Sequence, residues 1–259
     1  MDIELIVTLF LIGFVGSFIS GLVGIGGSII KYPMLLYIPP ALGLVAYTAH
    51  EVSGISAVQV FFATISGVWA LRRDNLIHYR LVVYMGVTIV IGSFIGGYGG
   101  QFLSSEMVNL VYGILATIAA VMMFMPKKGI DEQSREQVPF NRGIAVVSAA
   151  LVGLASGIVG AAGAFILVPI MLLILKIPTR VTIASSLAIT FISSIGTTIG
   201  KVMAGDVLLW PSVIMVIASI LAAPIGATVS KRINTKVLQW ILSALIFGTA
   251  VKIWVDFLM

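Results

Sequence analysis

The chain has 259 residues, 59% hydrophobic and 10% charged, with a net charge of +5 and no cysteine, and its mean hydropathy is +1.15. A soluble domain averages about 25% charged residues, so the composition excludes a water-soluble globule and points to a bilayer. The missing cysteines exclude disulfides, thiolate chemistry and Cys-ligated metals, and the basic residues read as loop charge that orients the chain, not as a nucleic-acid footprint.

Apolar segments fall at about 3–38, 44–71, 79–100, 105–125, 143–175, 181–203, 208–229 and 237–257. A spanning helix needs roughly 20 residues, so 3–38 and 143–175 are too long for one helix and short for two. The first opens on MDIELIVTLF, which is acidic and lacks a cleavage motif; it is expected to stay as a membrane segment and not to be removed as a signal peptide. Midway through it lies SGLVGIGGSIIKYP, residues 20–33. Each glycine weakens a helix by about 1 kcal/mol relative to alanine, and a lysine at membrane depth costs a few kcal/mol more.

The second long segment repeats the same feature. SGIVGAAGAFILVP, residues 156–169, matches the first stretch at an offset of 136, pairing Ser20, Gly21, Val23, Gly24, Gly27, Ile30 and Pro33 with Ser156, Gly157, Val159, Gly160, Gly163, Ile166 and Pro169. Lys31 is paired with Leu167. Further on, Asn75 corresponds to Asp206 and Gly96 to Gly226. The chain therefore reads as two transmembrane units, 1–125 and 143–259, joined by a polar linker, 126–142.

Loop charge speaks to their orientation. If each glycine-broken segment crosses once, the basic loop residues divide nine to five; if it crosses twice or re-enters, they divide twelve to two. The second division obeys the positive-inside rule far better. The expected fold is an all-α polytopic membrane protein of about 8–10 segments. It has two inverted repeats, each with an odd number of crossings and a discontinuous or re-entrant helix. The linker is expected in the cytoplasm and both termini outside, in the plasma membrane of a prokaryote.

Non-helical backbone at membrane depth must be buried in protein or line a wet cavity. Secondary transporters place such breaks near the midplane, with half-helix N-termini aimed at anionic substrate. Half-helices are expected over 28–38 and 163–175, placing Gly24, Gly26, Gly27, Ser28, Gly160, Gly163 and Ala164 at the substrate. The other reading of these glycines is helix packing, which Gly92, Gly96 and Gly100 in SFIGGYGG also suit. Lys31 either snorkels to an interface or adds positive charge at the site. Glu51 is a candidate partner for Lys31, and His50 is a candidate for proton coupling. The alternative for both is a helix start capped by Thr48 or its neighbours. In the second unit the matching region, IASSLAITFISS, offers the hydroxyls Ser185, Ser186, Thr190, Ser193 and Ser194. These suit an oxyanion or simply bond the preceding turn. Gln59 is a further pocket candidate.

GLVGIGGSIIKYP with AHEVSGISAV, and GIVGAAGAFILVP with PTRVTIASSLAIT, resemble the two halves of the sulfite exporter TauE/SafE family over nearly the whole chain. The chain departs from the family pattern at Ser28, Ala161, Ala162 and Ala164, where glycine is common. The resemblance implies a secondary carrier without cofactor that exports sulfite or a short organosulfonate such as sulfoacetate. A channel or a carrier for another small anion is the alternative. An enzyme is not expected: His50-Glu51 opens no HExxH motif and no carboxylate pair suits intramembrane catalysis. Catalytic and metal-binding residues are therefore expected to be none, and no ATPase or nucleic-acid partner is expected. The expected partners are a small anion and the lipid bilayer.

Overall fold

The computed structural model describes residues 2–24, 28–71, 76–124 and 140–258. Among the described residues, ten α-helices follow one another: α1 (Ile3–Val23), α2 (Ser28–Ala41), α3 (Ala49–Leu71), α4 (Tyr79–Gly99), α5 (Ser105–Phe124), α6 (Arg142–Val159), α7 (Ala164–Pro169), α8 (Thr179–Met203), α9 (Leu209–Ser230) and α10 (Thr235–Leu258). A five-residue π-turn, Ile170–Ile174, extends α7. Among the described residues, seven helices are long and apolar enough to cross a membrane. The chain is a polytopic, all-helical membrane protein. Most of the linker, 125–139, lies outside the described residues, as do Gly26 and Gly27.

The helices turn large apolar side chains outward, and small or polar residues share the inward faces with apolar ones. On α4, Val83, Val87, Phe94, Ile91 and Ile95 are exposed, while Met85, Gly86, Ile89, Gly92, Ser93 and Gly96 are buried. Large side chains outward suit hydrocarbon, and small residues inward let helix backbones approach. Gly92 and Gly96 meet Ala150 and Leu154 of α6, while Gly13 and Gly21 meet Ala218 and Ala223 of α9. This is the packing role expected for the SFIGGYGG glycines.

These contacts also fix helix direction. Rising numbers meet rising numbers between α1 and α9 and between α4 and α6, so each pair runs parallel. Gly86 beside Ile192 and Gly97 beside Thr197 make α4 and α8 parallel as well. Between α3 and α8 the order reverses: Ala57 accepts from Thr198, Phe61 meets Phe191, and Gly67 faces Leu187. Helices α1, α3 and α9 thus point one way, and α4, α6 and α8 the other. Helix α2 runs back beside α1 and ends where Lys252 of α10 lies over Tyr37. The first helix of each five-helix set packs on the fourth of the other.

Two ends of the bundle result. At the end where α6 and α8 begin, Arg180 donates to the carbonyls of Lys231 (3.2 Å) and Ile233 (3.5 Å), Lys231 donates to Ala70 O (3.5 Å), and Arg142 lies over Tyr84. We call this the linker end. At the terminal end, where α1 starts, Lys201 donates to Asp206 Oδ2 at 2.9 Å.

Candidate functional site

In each half a long helix stops at a glycine and a short helix follows within a few residues. Helix α1 stops at Gly24 (φ 75°) and α6 at Gly160 (φ 73°), a left-handed conformation that glycine adopts without the steric cost of a Cβ. The two turns do not meet. Gly24 rests on Ile183 at the linker end, where Ser186 Oγ donates to its carbonyl at 2.7 Å. Gly160 rests on Ser53 near the start of α3. By the rise of α3, the turns are about 25 Å apart.

What does approach across the bundle is the first turn of each short helix. Tyr112, buried on α5, donates to the carbonyl of Ile29, stacks on Tyr32 with ring centroids 4.4 Å apart, and contacts Phe165 of α7 at 6.1 Å. Tyr32 in turn donates to Asn109 Oδ1 at 2.8 Å. Gly163, which precedes α7, lies beside Val152, Ser156 and Ile89, the last at the middle of α4. Ser28 and Ala164 are the first residues of α2 and α7. Tyr112 was not singled out from sequence; a hydroxyl-bearing aromatic in the middle of an apolar segment was the available signal.

Lys31 follows one turn into α2. It is fully buried, and its Nζ has no hydrogen-bond partner among the described residues. Its stem fills a groove that exists because residue 16 is glycine: a Cβ there would overlap Lys31 Cγ. The expected pairing with Glu51 is not formed. Glu51 accepts from Thr48 N (2.8 Å) and Thr48 Oγ1 (3.0 Å), and its own N–H donates to Thr48 Oγ1 (3.3 Å). That reciprocal pattern is a capping box, so the carboxylate is spent on the start of α3.

Around the level of Lys31 lies a polar layer. Gln59 Nε2 donates to Gly13 O (3.3 Å) and Ser17 Oγ (3.1 Å), and Ser17 donates to Ser219 Oγ (2.8 Å). Gln59 Oε1 and the hydroxyls of Ser20, Ser56, Thr190 and Ser193 are buried without partners among the described residues. Gly16 and Ser20 share a face of α1, one turn apart. A buried polar atom is normally satisfied; among the described residues, Lys31 Nζ, whose stem lies against Gly16, and Gln59 Oε1, whose amide reaches Gly13 and Ser17, are left without a partner.

The other predicted hydroxyls are elsewhere engaged. Ser185 Oγ accepts from the His78 N–H at 2.8 Å and Ser186 closes the end of α1, both at the linker end. His50 sits at the terminal end, with Nε2 3.1 Å from Leu103 O and Nδ1 3.9 Å from Asp206 Oδ2. The structure thus brings Lys31 and Gln59 to the same stretch of α1, through Gly16, Gly13 and Ser17, and places Gly24, Gly160, Ser185, Ser186, His50 and Glu51 nearer the two ends of the bundle; Thr190 is buried on α8 without a partner among the described residues. The buried Lys201–Asp206 pair was not anticipated, since a lysine five residues before an aspartate reads as an ordinary solvated turn.

Comparison with known proteins agrees with this architecture. The family model described as Sulfite exporter TauE/SafE matches residues 9–253. The chain is 22% identical to the probable membrane transporter protein YunE of Bacillus subtilis, covering 91% of this chain and 92% of the relative. It is 30% identical to a probable membrane transporter protein of Xylella fastidiosa over 71% of this chain and 69% of the other. A probable membrane transporter protein of Methanocaldococcus jannaschii is 24% identical over 92% and 91%. No solved structure matches. With a family match spanning all but the ends of the chain and two of these relatives aligned along more than nine-tenths of their length, this multi-pass protein belongs to the sulfite exporter TauE/SafE family of membrane transporters.

Proposed function

We propose that the chain is a secondary transporter that exports a small sulfur oxyanion, sulfite or a short organosulfonate, by alternating access around the central polar layer. The observation that carries this reading is Lys31: a fully buried amine with no hydrogen-bond partner among the described residues, one turn into a short helix and seated against Gly16 of α1. The N-terminus of such a helix presents N–H groups and a positive dipole end to an anion. Export needs no ATPase, because an anion leaving a negative interior runs downhill by about 2.3 kcal/mol per charge per 100 mV.

The two halves are proposed to be inverted repeats in a prokaryotic plasma membrane. Opposite directions of α1 and α6, of α3 and α8, and of α4 and α9 support this. So does charge: Arg80, Arg142, Lys176, Arg180, Lys231, Arg232 and Lys236 belong to the linker end, against Lys201 and Lys252 at the other. By the positive-inside rule the linker end is cytoplasmic.

Purified protein in liposomes, assayed for labelled sulfite and sulfoacetate, tests the function. Saturable flux with counterflow is expected. Linear, non-saturating flux would make it a channel, and no flux of either anion would remove the substrate assignment. A reporter fused to the C-terminus is expected to be active outside; activity in the cytoplasm would overturn the orientation.

A further inference from the structure

We infer that Tyr112 of α5 is a positioning residue for Lys31: its hydroxyl stands in for the backbone N–H that Pro33 lacks, and so holds the turn of α2 that carries the lysine. This rests on Lys31 being the amine that meets the anion, as proposed above.

In an α-helix the carbonyl of residue 29 accepts from the N–H of residue 33. Here residue 33 is a proline inside α2, and proline has no N–H to give. Ile29 is fully buried, and a buried carbonyl left bare carries its whole desolvation penalty. Tyr112, also fully buried, donates to that carbonyl from α5. Three residues earlier, on the same face of α5, Asn109 accepts from the Tyr32 hydroxyl at 2.8 Å, and the rings of Tyr32 and Tyr112 stack with centroids 4.4 Å apart. Helix α5 therefore grips residues 29 and 32, which flank Lys31 along the chain.

The amine depends on that grip. Lys31 Nζ has no hydrogen-bond partner among the described residues, and its stem is seated on Gly16 of α1. Where the amine sits is thus set by the turn that bears it, held between α1 and α5. The equivalent proline in the second half, Pro169, ends α7, and the chain runs on as a π-turn. Helix α2 instead continues past Pro33 to Ala41. A helix passes through proline intact when other groups satisfy what the ring leaves open, and the helix that does so here is the one with the lysine.

The test measures uptake of labelled sulfite and sulfoacetate by the full chain in liposomes. Tyr112→Phe keeps the ring stack and removes only the hydroxyl. KM is expected to rise about fivefold, with the maximal rate per folded protein unchanged. Pro33→Ala in the same background returns an N–H to residue 33. It is expected to bring KM and the thermal unfolding midpoint back to those of the unaltered protein, a rescue that mere loosening of the α5 packing would not allow. Unchanged KM in Tyr112→Phe would overturn the positioning role, and a raised KM that Pro33→Ala fails to recover would overturn the route through the Ile29 carbonyl. Should Tyr112→Phe alone not assemble, the double variant carries the test, and its own failure to assemble would overturn the inference. Absence of saturable uptake of either anion by the unaltered protein would instead overturn the carrier reading, and the unfolding midpoints alone would then decide whether the hydroxyl replaces the missing N–H.

Discussion

Gly16 and Lys31 in the first half stand where Val152 and Leu167 stand in the second. Both hairpins turn on a left-handed glycine, Gly24 or Gly160, with φ within 2° of each other. Both send a short helix away from the middle of the bundle. In the proposed reading the two halves share a backbone plan and differ in side chains, one pair suited to chemistry and the other to packing, so that Lys31 and Gly16 would be what breaks the repeat.

The comparison extends to the two ends, and there the largest effect is expected. At the terminal end Lys201 depends on Asp206, whereas the first-half position that corresponds to Lys201, in the register that pairs Asn75 with Asp206, is Ala70, whose carbonyl accepts from Lys231. Asp206→Asn leaves a fully buried ammonium without its counter-charge, which costs about 3–5 kcal/mol. Thermal unfolding in detergent measures it, and Lys201→Met in the same background is expected to restore most of the loss. No restoration would mean that Asp206 acts through its backbone turn alone.

If the hairpins are equivalent, Gly24→Ala and Gly160→Ala should hurt alike. Each forces a Cβ into a left-handed residue and against a neighbouring helix backbone, Ile183 or Ser53. Left-handed strain of about 1–2 kcal/mol adds to overpacking of about 1–3 kcal/mol. A difference above about 1 kcal/mol between the two variants would show that one turn is more tightly built than the other.

Converting the first hairpin into the second sharpens the contrast. Gly16→Val alone collides with the Lys31 stem and is expected to destabilise by about 1–3 kcal/mol. Lys31→Leu alone is expected to stabilise by a similar amount and to lose transport. The double variant should be folded and inactive, with a coupling energy between the sites above about 1 kcal/mol in a double-mutant cycle. Additive effects would mean that the two side chains do not share the space.

The smallest effects concern positions where the halves differ without touching the polar layer. Ala162 takes a left-handed φ of 49° at the position equivalent to Gly26. Ala162→Gly is expected to stabilise by about 0.5–1 kcal/mol through relief of that strain. Glu51→Gln weakens the capping box at α3 by about 0.5–1 kcal/mol, with sulfite transport unchanged. A transport defect in Glu51→Gln would return the carboxylate to the site.

Much of the frame was legible before any coordinates. Helical segments, glycine turns, the offset duplication and the segregation of basic residues are local or one-dimensional properties, written directly in hydropathy, glycine spacing and loop charge. Short helices starting at 28 and 164 follow from the same signals, although α2 continues to Ala41 through Pro39 and Pro40. The site was less legible. Lys31 and Thr190 were visible as polar residues in apolar runs, but so were Glu51, Ser185 and Ser186, which turn out to cap a helix, hold His78 or close α1.

Sequence by itself determined the membrane class and the family, because each depends on composition and order along the chain. Only the tertiary structure decided which polar groups are left without partners. Whether a buried lysine meets a glutamate or none, and whether a serine bonds its own turn or a distant carbonyl, depends on which helices pack together. A glycine at 16 leaves no trace in the sequence of the lysine stem it makes room for. Those choices are made in three dimensions, where a few ångströms separate a structural hydrogen bond from an open donor.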